Sequence, residues 1–113
     1  MSLPSGFGRQ LSDLIGADNI LTEQSERWTY GYDNSRRHAV PDLVAFATHN
    51  EQVQHIVRQC YEHRIPLIAR GRGTGTTGAT VPDQGGVVLS LERMNRLIKM
   101  DSANRYLIAE PGM

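Results

Sequence analysis

The stretch with the clearest capacity for chemistry is RGRGTGTTG, residues 70–78. Its four glycines, Gly71, Gly73, Gly75 and Gly78, let consecutive backbone N–H groups point into one concavity and let an anion approach the chain closely. Thr74, Thr76 and Thr77 add hydroxyl donors, and Arg70 and Arg72 add charge suited to charge-assisted hydrogen bonds. That is the composition of a phosphate cradle, and equally of a mobile glycine-rich surface loop. From Gly73 the loop also spells G-T-G-T-T-G, the dinucleotide fingerprint G-x-G-x-x-G. A Rossmann loop must open a helix whose N-terminus faces the pyrophosphate. Here the loop runs into ATVPDQGG, where Pro82, Asp83, Gly85 and Gly86 oppose helix. No Gly-Lys-Ser/Thr occurs, which excludes a Walker A loop.

Other reactive residue types form no constellation. His38, His49, His55 and His63 lack metal-ligand spacing, and there is one cysteine, so no metal site is expected. Cys60 falls in an apolar helical stripe and reads as a core thiol. Arg36 and Arg37 read as an exposed basic pair. Trp28, Tyr30 and Tyr32 read as packing an N-terminal arm onto the domain. No nucleophile–base pair is visible, so no catalytic residue is assigned.

Those residues sit in a chain of 113, enough for one modest core. Net charge is zero, which gives no support to a nucleic-acid partner. Eleven of the twelve cationic residues are arginine, the type suited to bidentate phosphate or carboxylate recognition. No apolar run reaches the roughly 20 residues that span a bilayer, and no signal peptide is read, so a cytoplasmic location is expected.

The elements that must position the loop can be read from periodicity. FGRQLSDLIG (7–16) spaces Leu11, Leu14 and Ile15 helically and ends on Gly16. Residues 17–41 read as an irregular polar arm. Strands are predicted near 43–46, 66–69, 87–90, 96–100 and 105–109, the last two forming a hairpin. A helix is predicted near 50–63, opened by a capping box of Thr48 and Glu51. Its buried face is expected to be Val53, Ile56, Val57 and Cys60. Strand, helix, strand over 43–69 favours a parallel βαβ unit. The fold class is therefore α/β with α+β character: a small βαβ lobe carrying a glycine-rich loop. The core is expected to hold Val44, Val53, Ile56, Val57, Cys60, Ile65, Leu67, Ile68, Val88, Leu89, Leu97 and Ile108. The division expected is an N-terminal helix and arm over 1–35 and the lobe over 36–113.

Taken in order, Tyr30 to Asp33, Pro66, Arg70-Gly71, Gly73-Thr74, Gly78, Gly85-Gly86, Met94-Asn95, Asp101 and Glu110-Pro111-Gly112 resemble the opening of an FAD-binding domain. The class is that of vanillyl-alcohol oxidase and p-cresol methylhydroxylase, in the FAD-linked oxidase branch with glycolate oxidase FAD subunits and D-lactate dehydrogenases. The resemblance covers about residues 30–113. It implies FAD as cofactor, held at the pyrophosphate by Arg70, Gly71, Arg72, Gly73, Thr74, Gly75, Thr76, Thr77 and Gly78, with Glu110, Pro111 and Gly112 nearby. It implies oxidation of a 2-hydroxy acid by the whole enzyme. Some relatives carry a histidine at the place of Thr74 and bond FAD covalently; threonine cannot, so attachment here is expected to be non-covalent. Ala47 stands where many relatives have proline.

In that class the FAD domain continues well past the position of Met113. The resemblance therefore implies a first lobe, inactive alone and binding FAD weakly if at all. Apolar surface on residues 85–113 is then expected to be exposed and to drive pairing of two copies. The other readings are a stand-alone phosphate- or nucleotide-binding module without catalysis, and a fragment that merely self-associates.

Overall fold

The computed structural model describes residues 3–113. In chain order the elements are α1 (Phe7–Ile15), β1 (Ile20–Leu21), α2 (Gln24–Arg27), β2 (Leu43–Phe46), α3 (Asn50–Glu62), β3 (Leu67–Arg70), β4 (Val87–Ser90), β5 (Leu97–Asp101) and β6 (Tyr106–Ala109). Four strands form one sheet in the order β1-β2-β4-β3, and β5 and β6 form a second sheet of two. β2, β4 and β3 run parallel, with Leu43 and Leu67 both level with Val87, and Phe46 and Arg70 both level with Ser90. The predicted βαβ unit is present, but β4 lies between its two strands. The reason lies in burial. LVAF and VVLS bury every residue, whereas β3 leaves Ala69 exposed and so takes an edge.

Side-chain alternation along the strands divides the core in two. Leu43, Ala45, Val87 and Leu89 face α1 and α3, where they meet Phe7, Leu11, Ile15, Ile56, Cys60, Ile65 and Met94. Val44, Phe46 and Val88 face the other way, toward Leu21 and Tyr30 of the N-terminal arm. Helix α1 ends as predicted on Gly16, whose N–H donates to the Ser12 carbonyl. Its buried stripe is Phe7, Leu11 and Ile15, while Leu14 is 40% exposed. Gly86 sits where three strands begin. Its φ is +83°, and a Cβ there would strike the Pro66 carbonyl. The Gly86 amide donates to Asp42 Oδ2 at 2.6 Å, and its carbonyl accepts from the Asp42 amide at 2.8 Å.

Several expectations are corrected. Val57 is 45% exposed, because α3 covers the sheet with Ile56 and Cys60 only; Val53 is half-buried. The Thr48–Glu51 capping box does not form. The helix begins at Asn50, so the reciprocal partner of Thr48 is Gln52: Oε1 accepts from the Thr48 amide at 2.8 Å and its hydroxyl at 2.9 Å. Glu51 pairs instead with His49 at 3.0 Å. Leu97 and Ile108 are not core. The β5–β6 hairpin stands as its own sheet, with Leu97, Ile98, Met100, Tyr106, Leu107 and Ile108 all at least 42% exposed. The expected exposed surface does not include residues 87–90, which form the buried centre of the larger sheet.

Candidate functional site: an anion cradle at the carboxyl ends of the parallel strands

Arg70 and Ser90 end neighbouring parallel strands in register, on the face that carries Tyr30. The carboxyl end of such a sheet is where α/β folds place ligands. A cleft of about 340 Å³ opens there, lined by Thr29, Tyr30, Arg70, Gly71, Arg72, Thr74 and Glu92.

Arg70 is only 6% exposed. Its guanidinium lies 5.6 Å from the ring centroids of both Tyr30 and Tyr32 and donates through Nη1 to the Tyr32 carbonyl. It also fills the space beside the Gly73 Cα: a Cβ there would overlap the guanidinium, and the φ of +69° is one that glycine tolerates. None of the ion pairs among the described residues involves Arg70. A cation this deeply buried without a carboxylate partner favours an anion beside it.

The loop that follows is tied on one side only. Asn34 donates from its amide to the Gly75 carbonyl at 2.8 Å and from Nδ2 to the Thr74 carbonyl at 3.0 Å. Asp33 Oδ2 accepts from the Gly78 amide at 2.9 Å while Oδ1 accepts from the Ser35 amide at 2.8 Å. Hydrogen bonds from Ser35, with a further one from Gly78, hold the Asp33 carboxyl below its ordinary range, so it stays ionised at neutral pH. The amides of residues 72–77 donate to no protein group among the described residues. Six consecutive N–H groups beside an unpaired guanidinium suit a phosphate or diphosphate.

Across the cleft Glu92 Oε1 accepts from the Tyr30 hydroxyl at 2.7 Å and the Ser90 hydroxyl at 3.0 Å. Burial, reinforced by Glu92, pushes the Tyr30 phenol up to about 12, so it remains a donor. The cleft thus has a cationic wall and an acidic wall.

Of the residues singled out from sequence, Arg70, Gly71, Arg72 and Thr74 line this cleft, while Gly75, Thr76 and Thr77 are exposed on the same loop. Glu110, Pro111 and Gly112 do not line it. Glu110 is buried and committed to Arg96, accepting from Nε at 2.7 Å, Nη2 at 3.0 Å and the Arg96 amide at 2.9 Å. Gly112 approaches the Leu91 and Glu92 backbone and donates to the Met94 carbonyl at 2.8 Å, so this segment supports the turn bearing Glu92. Asp33 appears in the sequence only as the end of the Tyr30–Asp33 motif, with no role attached, and Asn34, Ser90 and Glu92 carry no signal in sequence separation: contacts such as Asn34 to Thr74 span forty residues. Among the described residues no group of three His, Cys, Asp or Glu could hold a metal ion, and no helix is long and apolar enough to cross a membrane.

Residues 41–113 match the family model described as FAD binding domain. The chain is 32% identical over 105 residues to the glycolate oxidase subunit GlcD of Bacillus subtilis (strain 168), covering 92% of this chain and 22% of that protein. It is 30% identical over 114 residues to the mitochondrial D-lactate dehydrogenase [cytochrome] of Arabidopsis thaliana, covering 98% and 20%. Among solved structures, p-cresol methylhydroxylase with substrate bound superposes with a TM-score of 0.82 at 33% identity, over 97% of this chain and 23% of that one. The chain therefore spans about a fifth of the length of the curated relatives it matches.

Proposed function

The chain belongs to the FAD-binding-domain family of FAD-linked oxidoreductases, with FAD as its cofactor, and from that premise we propose which residues hold FAD and what the whole protein oxidises. The diphosphate is held by the loop of residues 70–78: by amides within 72–77, by the Thr74 and Thr76 hydroxyls, and by the charge of Arg70 and Arg72. Glu110, Pro111 and Gly112 act on the same site through the turn that carries Glu92. The observation that carries this assignment is the run of six undonated amides beside the unpaired, buried Arg70. N–H dipoles already fixed in one concavity bind a diphosphate without reorganising. When bound, FAD supplies the redox chemistry, and the protein supplies position and field. Thr74 offers no nucleophilic nitrogen, so the flavin is not covalently attached through this loop.

The substrate of the whole protein is a 2-hydroxy acid of the glycolate or D-lactate type, as the names of two relatives suggest. The likeness to p-cresol methylhydroxylase favours a second reading, a 4-alkylphenol. Purified whole protein should show flavin absorbance, and glycolate or D-lactate should bleach it anaerobically. Bleaching by p-cresol alone would select the second reading. A colourless protein that takes up no FAD would leave a phosphate- or nucleotide-binding module without catalysis.

Spanning about a fifth of its relatives' length, this chain by itself is expected to bind FAD weakly, because fewer contacts must meet the same cost of immobilising a large ligand. Pairing of copies through the apolar β5–β6 face belongs to the same proposal. Light scattering across concentration checks it, and Leu107→Lys should return a dimer to monomer.

A further inference from the structure

In a trans peptide the C=O and N–H point in opposite directions. None of the described peptide bonds is cis. The carbonyls of Thr74 and Gly75, both held by Asn34, share their peptide planes with the N–H groups of Gly75 and Thr76. By fixing those two carbonyls toward the arm, Asn34 turns the two N–H groups away from it, onto the open side of the loop. Asp33 closes the far end of the loop by accepting from the Gly78 amide at 2.9 Å. Arg70 fixes the near end, with its guanidinium against Gly73 and on the Tyr32 carbonyl.

We propose that Asn34, Asp33 and Arg70 are positioning residues for a diphosphate-bearing ligand. They grip the loop from the arm side so that the Gly75 and Thr76 amides stand preformed toward the phosphates. This rests on the anion-cradle reading above, but not on FAD being the ligand. A purely packing role does not account for Asn34. Its side chain is exposed, and the one hydrogen bond it makes among the described residues is to a loop carbonyl. Its place immediately after Asp33 lets one short segment hold the middle and the far end of the loop. Preorganisation of this kind raises affinity by removing the ordering cost at binding.

The test is a titration of this chain with inorganic pyrophosphate, followed by the amide resonances of residues 72–77. In the wild type, Gly75 and Thr76 should move. Asn34→Ala keeps the backbone bond to the Gly75 carbonyl and loses only the side-chain bond to the Thr74 carbonyl, so it should displace the Gly75 resonance before any pyrophosphate is added and move Thr76 less. It should weaken pyrophosphate affinity roughly three- to tenfold, the worth of one hydrogen bond, with no change in melting temperature. Arg72→Met is the control. Its guanidinium is exposed, so it should lower affinity through charge and leave the unliganded Gly75 and Thr76 resonances in place. Asp33→Asn, which keeps one acceptor, should retain more affinity than Asp33→Ala. An Asn34→Ala chain that binds pyrophosphate as the wild type does would overturn the proposal, as would a wild-type loop that does not respond. If the whole protein takes up no FAD while the titration runs as expected, the cofactor assignment falls and the positioning role stands.

Discussion

The four-stranded sheet and the β5–β6 hairpin are built from strands of similar composition and meet opposite fates. LVAF and VVLS bury every side chain. In LIKMD and YLIA only the end residues Asp101 and Ala109 are even half-buried. The difference is in what covers each sheet. α1 and α3 lie on one face of the larger sheet, and Tyr30 and Leu21 on the other. The hairpin is held at its base, by the Arg96–Glu110 pair. Apolar strand sequence states that a face can be buried; neighbours decide whether it is.

The largest test of that contrast is a charge in each sheet. Val88→Asp should remove several kcal/mol, about 3–5, since it leaves an unpaired carboxylate in the core. Leu107→Lys should change the stability of a monomer by no more than about 0.5 kcal/mol. Urea titrations of both variants measure this, and equal losses would refute it. One step smaller, Ile56→Ala should cost about 2–4 kcal/mol, while Ile98→Ala should be near neutral. Cys60 offers a readout of the same core. Burial pushes its thiol up to about 11, so labelling by a thiol reagent should follow opening of the α3 face and should quicken in Ile56→Ala.

Acid should separate the regions next. Arg96 hydrogen bonds hold the Glu110 carboxyl below its ordinary value of 4.5, and Ser35 holds Asp33 below 3.8. Both folded values are depressed, so the stability they contribute is complete above those ordinary values. It is lost as pH falls through the lower, folded ones. The hairpin base and the loop clamp should therefore loosen in acid, seen as loss of protection of the Arg96 and Gly78 amides relative to their intrinsic exchange rates at each pH. Glu110→Gln should remove most of that dependence at the hairpin and leave it at the loop.

The smallest effects concern two arginines at positive φ, Arg64 at +54° after α3 and Arg105 at +58° in the hairpin turn. Arg64→Gly should raise global stability by up to about 1 kcal/mol, because it relieves strain at the helix end. Arg105→Gly should slow opening of the hairpin and leave the global melt unchanged. Val57→Asp, on the solvent side of α3, should lie within about 0.5 kcal/mol of wild type.

Much of this architecture is legible in the residues. Gly16 ends α1, the Ile56 and Cys60 stripe marks the face of α3, and the five strands beyond the arm lie close to where apolar runs place them. These features depend on neighbours a few positions apart, which periodicity reports directly. Periodicity misplaces Val57, because a period of 3.6 gives the centre of a buried stripe better than its width. Apolar runs misplace Leu97 and Ile108, because alternation cannot say whether a second layer exists.

What the sequence by itself determined is a glycine- and threonine-rich loop over 70–78, with the composition of a phosphate cradle or an open surface loop, and a following stretch that opposes a Rossmann helix, since glycine and proline constrain the backbone locally. The tertiary structure decided the rest of the site. It placed β4 between β2 and β3, which brings Glu92 to the cleft with Ser90 donating to its carboxylate. It buried Arg70 between two tyrosines, and it brought Asp33 and Asn34 onto the loop, selecting which amides stay free. Except for Ser90 to Glu92, each of those contacts joins residues twenty to more than sixty positions apart. Their partners are fixed by packing of the whole sheet, and no local pattern encodes it.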